Sequence, residues 1–543
     1  MAKRRSNPQT RHAHGLAAAA VRVGAGSASM AAHSGAGSSS DDLAMYDWNP
    51  QRGSADADLL PDLDALTARS RDLGRNNGLV AGANQTYRDN IVGATLRLSC
   101  IPDYRLLGWS REYAREWGNV VEPKFRSWAE TTECHAGRKL NLLGLTLQAL
   151  SGAMGNGDAL ALPLWLPRPG SRWNTRLMMI EADRLSTPHG MEHREDIRGG
   201  IEFDQYGADV AYHITKKHPG DMLGMGFYGA ASSAAMQWER IPAFTPWGRR
   251  RVIHLADHER SGQSRGKPII SAVMREFHMA GKYSSNELES SVASSLITAF
   301  LESDLDPESA AALFGEDPRG AWKSSLAEGR SSLRKMKGGA VVPLPAGARL
   351  SAFNPGRPNP AFEAFMLSVL RHIAAGMNLP YELLLKDFSK SNYSSARAAL
   401  LEAWRYFNGR RRWLSDHWLR CIYELWFEEA LNAGEIEAPG FYENRYAYLR
   451  CRFIFGGRGW VDPVKEATAS VMRMKAGITT LEHECAEQGT DYEEVLDQTA
   501  VEEAMRKDRG LPSLYADQIV VHLNNGDDDK APGQKSTATE ESA

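Results

Sequence analysis

Apolar residues recur at three- and four-residue steps through Phe362, Phe365, Met366, Val369, Leu370 and Ile373, the spacing that gives a helix one buried face. Gly376 ends the pattern. Pro380 biases Leu379 away from helical geometry, and the run Ser389-Lys390-Ser391-Asn392 has nothing to bury, so a loop is expected to project there. Helical spacing resumes from Ser395. No proline occurs between Tyr381 and Ala438, and Gly409 is the only glycine between Arg397 and Ala433. A strut of roughly 50 Å fits this stretch at the standard helical rise.

The remaining chain alternates between the two periods. Leu59, Leu60, Leu63, Leu66 and Leu73 give one helical face between Asp56 and Arg75, and Leu96 to Ile101 alternates as a strand. Trp109, Trp117 and Trp128 lie on a helical segment running through Glu133 and are expected to anchor a core. Strand patterns cover Ala159 to Leu166, Arg176 to Ile180, Ile201 to Phe203 and Val210 to Ile214. Helical spacing runs from Ile269 through Val273, Phe277, Ala280, Leu288, Val292, Leu296 and Phe300 to Pro307, with Gly281 as a bend. Residues 304–358 are turn-rich and read as a small α/β insertion between two long helices. Strands are expected around Ala447 to Phe455. Asp462-Pro463, Thr479 with Glu482, and Asp491 with Glu494 then start three short helices that end near Arg509. The fold class is α+β, mainly helical.

Composition narrows the function. The 543 residues are 42% hydrophobic with a net charge of −3, enough apolar material for two to four domains. No apolar run approaches the ~20 residues of a membrane helix, so no membrane role is expected. Five scattered cysteines without a Cys-x-x-Cys pair predict reduced thiols rather than a disulfide scaffold or zinc site. The near-neutral balance confines any DNA contact to local sites. Residues 1–45 open with Lys3-Arg4-Arg5 and continue in small residues, giving a flexible or removable basic arm rather than a targeting peptide interrupted by Arg22. Beyond Asn524 the tail is acidic and polar, with the same expectation of disorder.

Several motifs carry less chemistry than their letters promise. Gly224-Met-Gly226-Phe-Tyr-Gly229 lacks a preceding strand and reads as a turn. His189 and His193 sit among Gly190, Glu192, Arg194 and Glu195 in a hydrated loop, so no metal site is predicted. Gly262-Gln-Ser-Arg-Gly266-Lys267-Pro268 is one residue short of a phosphate loop, with Pro268 where a Mg²⁺-binding hydroxyl would stand. No cofactor is expected. Arg405, Arg410, Arg411, Arg412 and Arg420 interleave with Trp404, Tyr406, Phe407, Trp413, Trp418, Tyr423, Trp426 and Phe427; the spacing favours packing over base stacking. Arg330, Arg334, Lys335 and Lys337 form either a solvated face or a docking or DNA-contact surface.

Three phrases in order, Arg69-Ser-Arg-Asp-Leu-Gly-Arg-Asn-Asn-Gly78, Gln263 to Pro268, and Gly376-Met-Asn-Leu-Pro-Tyr-Glu-Leu-Leu384 with Asn392-Tyr-Ser-Ser-Ala-Arg397, resemble the lambda-type family of tailed-bacteriophage portal proteins. The resemblance spans roughly Asp56 to Arg509. It implies a portal fold assembled as a ring: wing over 46–265, stem helices over 266–303 and 359–377, clip over 304–358, tunnel loop over 378–396, a long helix with wing return strands over 397–460, crown over 461–510 and a tail over 511–543. Such rings are commonly dodecamers at one capsid vertex of the virion, assembled in the host bacterial cytoplasm, that conduct double-stranded DNA in packaging and ejection.

The implied partners are the terminase large subunit, the major capsid protein or scaffold, and head-tail connector proteins. Lys386 and Lys390 are the cations of the implied tunnel loop, and Ser391 and Asn392 could add hydrogen bonds to phosphate. The clip cluster Arg330, Arg334, Lys335 and Lys337 is the implied docking surface for terminase or connectors. The rival readings are a non-catalytic helical scaffold or adaptor, and a hydrolase or nuclease using carboxylates such as Asp183 and Asp204. No nucleophile elbow or spaced acid pair supports an enzyme.

Overall fold

The structure is a computed structural model that describes residues 50, 52–223, 237–296, 300–302, 349–351, 361–389, 391–457, 459 and 462–513. The basic arm, the Gly224 to Gly229 turn, most of the 304–358 insertion and the end of the tail lie outside the described residues.

Helices α1 (Ala55–Leu59), α2 (Leu63–Asn76) and α3 (Gly78–Tyr87) open the described chain. The single amphipathic segment expected from Asp56 to Arg75 is thus split, because residues 60–62 form a turn ahead of α2. Asn77 separates α2 from α3, and its Oδ1 accepts the first amides of α3, from Leu79 at 3.0 Å and Val80 at 3.3 Å. A π-turn, Arg88–Val92, ends at Gly93 with φ 73°, a value that favours glycine. Strand β1 (Leu96–Cys100) follows and pairs antiparallel with β11 (Cys451–Phe455).

Helix α4 (Arg111–Ala129) carries Trp117 and Trp128 into the core, as their spacing predicts. The indole N–H of Trp128 donates to Thr175 O and that of Trp117 to Glu437 O, both at 2.9 Å, so neither buried donor is orphaned. Phe125, Trp128, Trp173, Tyr423 and Trp426 form a continuous aromatic cluster with neighbouring ring centroids 5.1 to 6.1 Å apart. Truncating one such ring to alanine typically costs about 3–5 kcal/mol.

After α5 (Leu142–Asn156), β2 (Asp158–Trp165) is the centre of a three-stranded antiparallel sheet with β3 (Thr175–Ile180) and β8 (Ile253–Ala256). A second sheet runs β4 (Ile197–Arg198), β5 (Ile201–Phe203), β6 (Asp209–Thr215), β7 (Trp238–Pro242). Alternation along β2 divides its side chains between two cores. Ala159 and Ala161 face the main helical core, whereas Leu160 and Leu162 join Ile180, Ile201, Tyr212, Ile214 and Ile241 between the sheets. Strands β7 and β8 were not expected: each is short, and β7 carries Glu239 and Arg240 in its middle.

Helix α6 (Met274–Leu296) is followed by a short antiparallel pair, β9 (Phe300–Glu302) with β10 (Arg349–Ser351). Helices α7 (Phe362–Gly376) and α8 (Tyr381–Leu385) precede the long element, which comprises α9 (Tyr393–Leu414), a π-turn over Ser415–Leu419 and α10 (Arg420–Asn432). The expected strut is therefore present but carries one wide turn. The segment near Ala447 is a one-turn helix, Arg445–Tyr448, rather than strand; only Cys451–Phe455 is extended. Three helices close the described chain: α11 (Pro463–Lys475), α12 (Leu481–Glu487) and α13 (Tyr492–Asp508). Asp462 and Asp491 cap as expected, but α12 is capped by Thr480, one residue after the predicted Thr479. Gly457 and Gly489 let these helices approach β11, since a Cβ on Gly457 would lie 2.4 Å from Gln488 O.

Candidate nucleic-acid interface

The loop at residues 386–392 is rooted on its N-terminal side. Ile373, Ala374, Met377, Leu379 and Leu384 are buried, and the Tyr87 hydroxyl donates to the Met377 carbonyl. Gly376 is required at the end of α7, where a Cβ would come within 2.4 Å of the Val273 side chain. Arg371 lies over the Tyr381 ring, 5.1 Å from its centroid. Apolar burial thus fixes where the loop begins.

Lys386 terminates α8 with φ 55° and ψ 33°, a left-handed cap held in a non-glycine residue. Asp387 N–H bonds to Glu382 O at 3.1 Å, and Ser389 N–H to Asp387 Oδ1 at 2.9 Å. Ser391 Oγ donates to Phe388 O at 3.0 Å, so its hydroxyl proton braces the loop instead of standing ready for phosphate. Asn392 caps α9, its Oδ1 accepting Ser395 N–H at 2.8 Å. That bond occupies the acceptor of Asn392; the donors that phosphate would require belong to its amide nitrogen. Lys386, Asp387, Phe388, Ser389 and Asn392 are exposed, and Lys390 lies outside the described residues.

On the long helix the aromatic residues pack and the arginines mostly bond within the chain. Phe407, Trp418, Tyr423, Trp426 and Phe427 are buried. Arg411 donates to Ile91 O at 2.9 Å, Asn90 O at 2.8 Å and Gly456 O at 2.6 Å, and it stacks over Trp404 and Phe455. Burial pulls its pKa down to about 10. Arg410 pairs with Asp257, and Arg412 and Arg420 pair with Asp416 at 3.6 and 3.0 Å. Base stacking on this helix has no support from such an arrangement.

The Gln263 to Pro268 phrase is an internal knot. Ser264 donates its N–H and hydroxyl to Asp56 Oδ1 at 2.7 and 3.0 Å. Arg265 is buried, pairing with Asp158 Oδ2 at 2.7 Å and donating to the carbonyls of Leu185, Ala182 and Gly199. Asp158 Oδ1 accepts Gly266 N–H at 2.9 Å and faces His254 Nε2 at 2.8 Å. Burial drives the Asp158 pKa up, but Arg265, His254 and the Gly266 amide outweigh it and hold the carboxyl at about 2. Gly266 and Gly157 meet backbone to backbone, where a Cβ on Gly266 would fall 1.9 Å from Gly157 O. The turn that resembled a phosphate cradle is filled by the protein's own carboxylates.

His189 packs edge-on against Trp238 with centroids 4.9 Å apart, and its Nδ1 lies 3.5 Å from Glu192 Oε1. Sequence reasoning missed the cluster of Glu181, Asp183 and His218, whose ligand atoms lie within 4.8 Å of one another, because 35 residues separate Asp183 from His218. Arg71 pairs with the same Asp183. Asp204, the other carboxylate considered for an enzyme, accepts the amides of Tyr206 and Ala208 in the β5–β6 turn. The basic cluster Arg330, Arg334, Lys335 and Lys337 lies outside the described residues.

Among known proteins, the family described as "Phage portal protein, lambda family" matches residues 42–411. The portal protein of Escherichia phage N15 is 32% identical over 486 residues, covering 86% of this chain and 89% of its own length. Portal protein B of Escherichia phage lambda is 31% identical over 489 residues, covering 87% and 90%. A solved chain from the neck of an empty gene transfer agent particle is 12% identical with a TM-score of 0.41, covering 82% of this chain and 95% of that one.

Proposed function

The chain belongs to the lambda family of phage portal proteins, and from that premise we propose that its copies close into a ring, of twelve subunits by family resemblance, around a channel for double-stranded DNA. As a portal protein it occupies a capsid vertex, and it is a structural protein rather than an enzyme. In this reading α6 and α7 are stem helices, residues 304–358 the clip, α11 to α13 the crown, and residues 386–392 the tunnel loop. The clip would dock the terminase large subunit and later the head-tail connector proteins, with Arg330, Arg334, Lys335 and Lys337 as contacts. The outer body would meet the major capsid protein or scaffold. Assembly would take place in the host bacterial cytoplasm.

The observation that carries the channel reading is the loop at 386–392, where Lys386, Asp387, Phe388, Ser389 and Asn392 are exposed directly after the packed root formed by α7 and α8. A duplex must slide, so contacts should be few and indifferent to sequence; a dense basic lining would grip it. Lys386, Lys390 and the amide nitrogen of Asn392 supply such sparse contacts. Exposed apolar side chains on the proposed stem, Met279 at 56%, Leu288 at 67% and Phe365 at 54%, support neighbouring copies along those helices.

Light scattering on the purified chain tests the ring directly. A closed assembly near an order of magnitude heavier than the 59.9 kDa chain is expected. Monomers under every salt condition, with no rings in negative-stain images, would remove this reading. Deleting part of residues 304–358 should leave rings intact while abolishing packaging with the matched terminase.

A further inference from the structure

We propose that Cys100 and Cys451 are a cross-strand thiol pair that closes to a disulfide on exposure to a small-molecule disulfide, stapling β11 to β1. The register places the two directly opposite each other in the β1–β11 ladder. Leu96, Leu98 and Cys100 face the same side of the ladder as their partners Phe455, Phe453 and Cys451, because directly opposed residues share a face. Ile101 N–H donates to Arg450 O at 3.0 Å, while the amide of Cys100 turns outward to Glu122 Oε1 at 2.7 Å. Cys100 and Cys451 therefore occupy a non-hydrogen-bonded site of the ladder. At such sites the Cα atoms approach to about 4.5 Å, inside the roughly 4.4–6.8 Å range that a disulfide spans.

Both thiols lie beside the buried Tyr423 hydroxyl, which is 3.4 Å from Cys100 Sγ. All five cysteines are free in this structure, and none of the other three has a cysteine opposite it in a strand. Cys421 on α10 instead directs its Sγ to His417 O.

Access and chemistry are unequal across the pair. Cys100 is buried, whereas Cys451 is partly exposed and lines a cleft of about 490 Å³ with Arg412, Arg420 and Arg452. With Arg411 and Arg450 the cleft holds five arginines against Asp416 and Glu487, an excess of positive charge that suits an anionic disulfide such as oxidised glutathione. The Cys451 thiolate attacks one sulfur of the reagent, breaking its S–S bond and expelling one small thiolate. The Cys100 thiolate then attacks the Cys451 sulfur of the mixed disulfide and expels the second. Two protein thiols are oxidised, one small disulfide is reduced to two thiols, and the two cysteine protons pass to the leaving thiolates.

The charged and titratable groups around the pair are Tyr423, Glu122 on α4, Arg411, Arg412, Asp416 and Arg420 on the long helix, Arg450 and Arg452 at and on β11, and His483 and Glu487 on α12. Burial raises the Cys451 pKa to about 12 and raises that of Cys100 as well, so closure is slow at neutral pH and base-accelerated.

The test is a thiol count on the full chain under denaturing quench after incubation with oxidised glutathione, at pH 7, 8 and 9. The expected result is a fall from five thiols to three, a single cross-linked peptide joining Cys100 to Cys451, and a rate rising roughly tenfold per pH unit. Dithiothreitol should restore five. Cys421→Ala should still lose two thiols, and Cys451→Ala should lose none to an internal bond. If Cys451→Ala fails to fold, peptide mapping of the oxidised native chain decides alone. Persistence of five thiols, a cross-link through any other cysteine, or a rate independent of pH would overturn the pair.

Discussion

At residues 263–266 and again at 386–392 the chain makes a short polar turn with a cation at hand, and the two differ in who supplies the acceptor. In the first, Arg265, the Ser264 amide and the Gly266 amide are answered by Asp158 and Asp56 inside the fold. In the second, Lys386 stands exposed on a turn whose internal bonds are made by Asp387, Ser391 and Asn392. The same letters, small polar residues beside a basic one, give a rivet where carboxylates are buried opposite and an open contact where they are not. Breaking the first should cost stability, and breaking the second should cost function.

The largest effect is expected from Arg265→Ala, which leaves Asp158 buried without its cation and three carbonyls without a donor. Chemical denaturation should show a loss of about 3–5 kcal/mol. A loss below about 1 kcal/mol would erase the distinction between the turns. Next in size is the acid response. Asp158 is held at about 2, below the usual carboxylate value of 3.8, so its contribution is present above pH 4 and is lost as pH falls from 4 towards 2. That window should remove about 2 kcal/mol from the native chain, and the slope should be missing in Asp158→Asn.

A smaller loss, about 1 kcal/mol, is expected for Asn392→Ala, because only a helix cap is removed. Amide exchange at Ser395 and Ala396 should rise while the core amides hold. The smallest thermodynamic effect belongs to Lys386→Ala combined with Lys390→Ala, within about 0.5 kcal/mol of the parent. Ring formation should be unchanged, yet packaging yield or retention of packaged DNA should shift. Unaltered yield and retention with intact rings would show that these lysines do not reach the duplex.

Legibility in the sequence followed the range of the forces involved. The α7 face, the long helix and the Asp462 and Asp491 caps were readable because their signals lie within one or two turns of chain. Thr480 displaced Thr479 at the start of α12 although only Thr479 has a glutamate three residues on, so the cap was chosen by the backbone rather than by the capping-box wording. The β7 and β8 strands were hidden, since Trp238–Pro242 and Ile253–Ala256 become strands by pairing with β6 and β2 rather than by their own alternation. The knot's wording was legible but its chemistry was not. Asp158 and Asp56 lie about a hundred and about two hundred residues before Arg265 and Ser264, and no local pattern announces them.

The π-turn over Ser415–Leu419 gives the long helix an angular phase. A π-turn holds one residue more than an α-turn, and each helical residue advances the azimuth by about 100°. Trp418 and Leu419 are seated in the core within the turn itself, with Phe407 upstream and Trp426 downstream. Removing a single residue from 415–419 would restore a regular helix of better local geometry. It would also rotate Trp404, Phe407 and Arg411 by about 100° relative to Tyr423 and Trp426, taking Arg411 away from the carbonyls of Asn90, Ile91 and Gly456. The 386–392 loop runs from its α7–α8 root into the upstream end of the same shaft, so the azimuth at which α9 receives it follows from that one surplus residue.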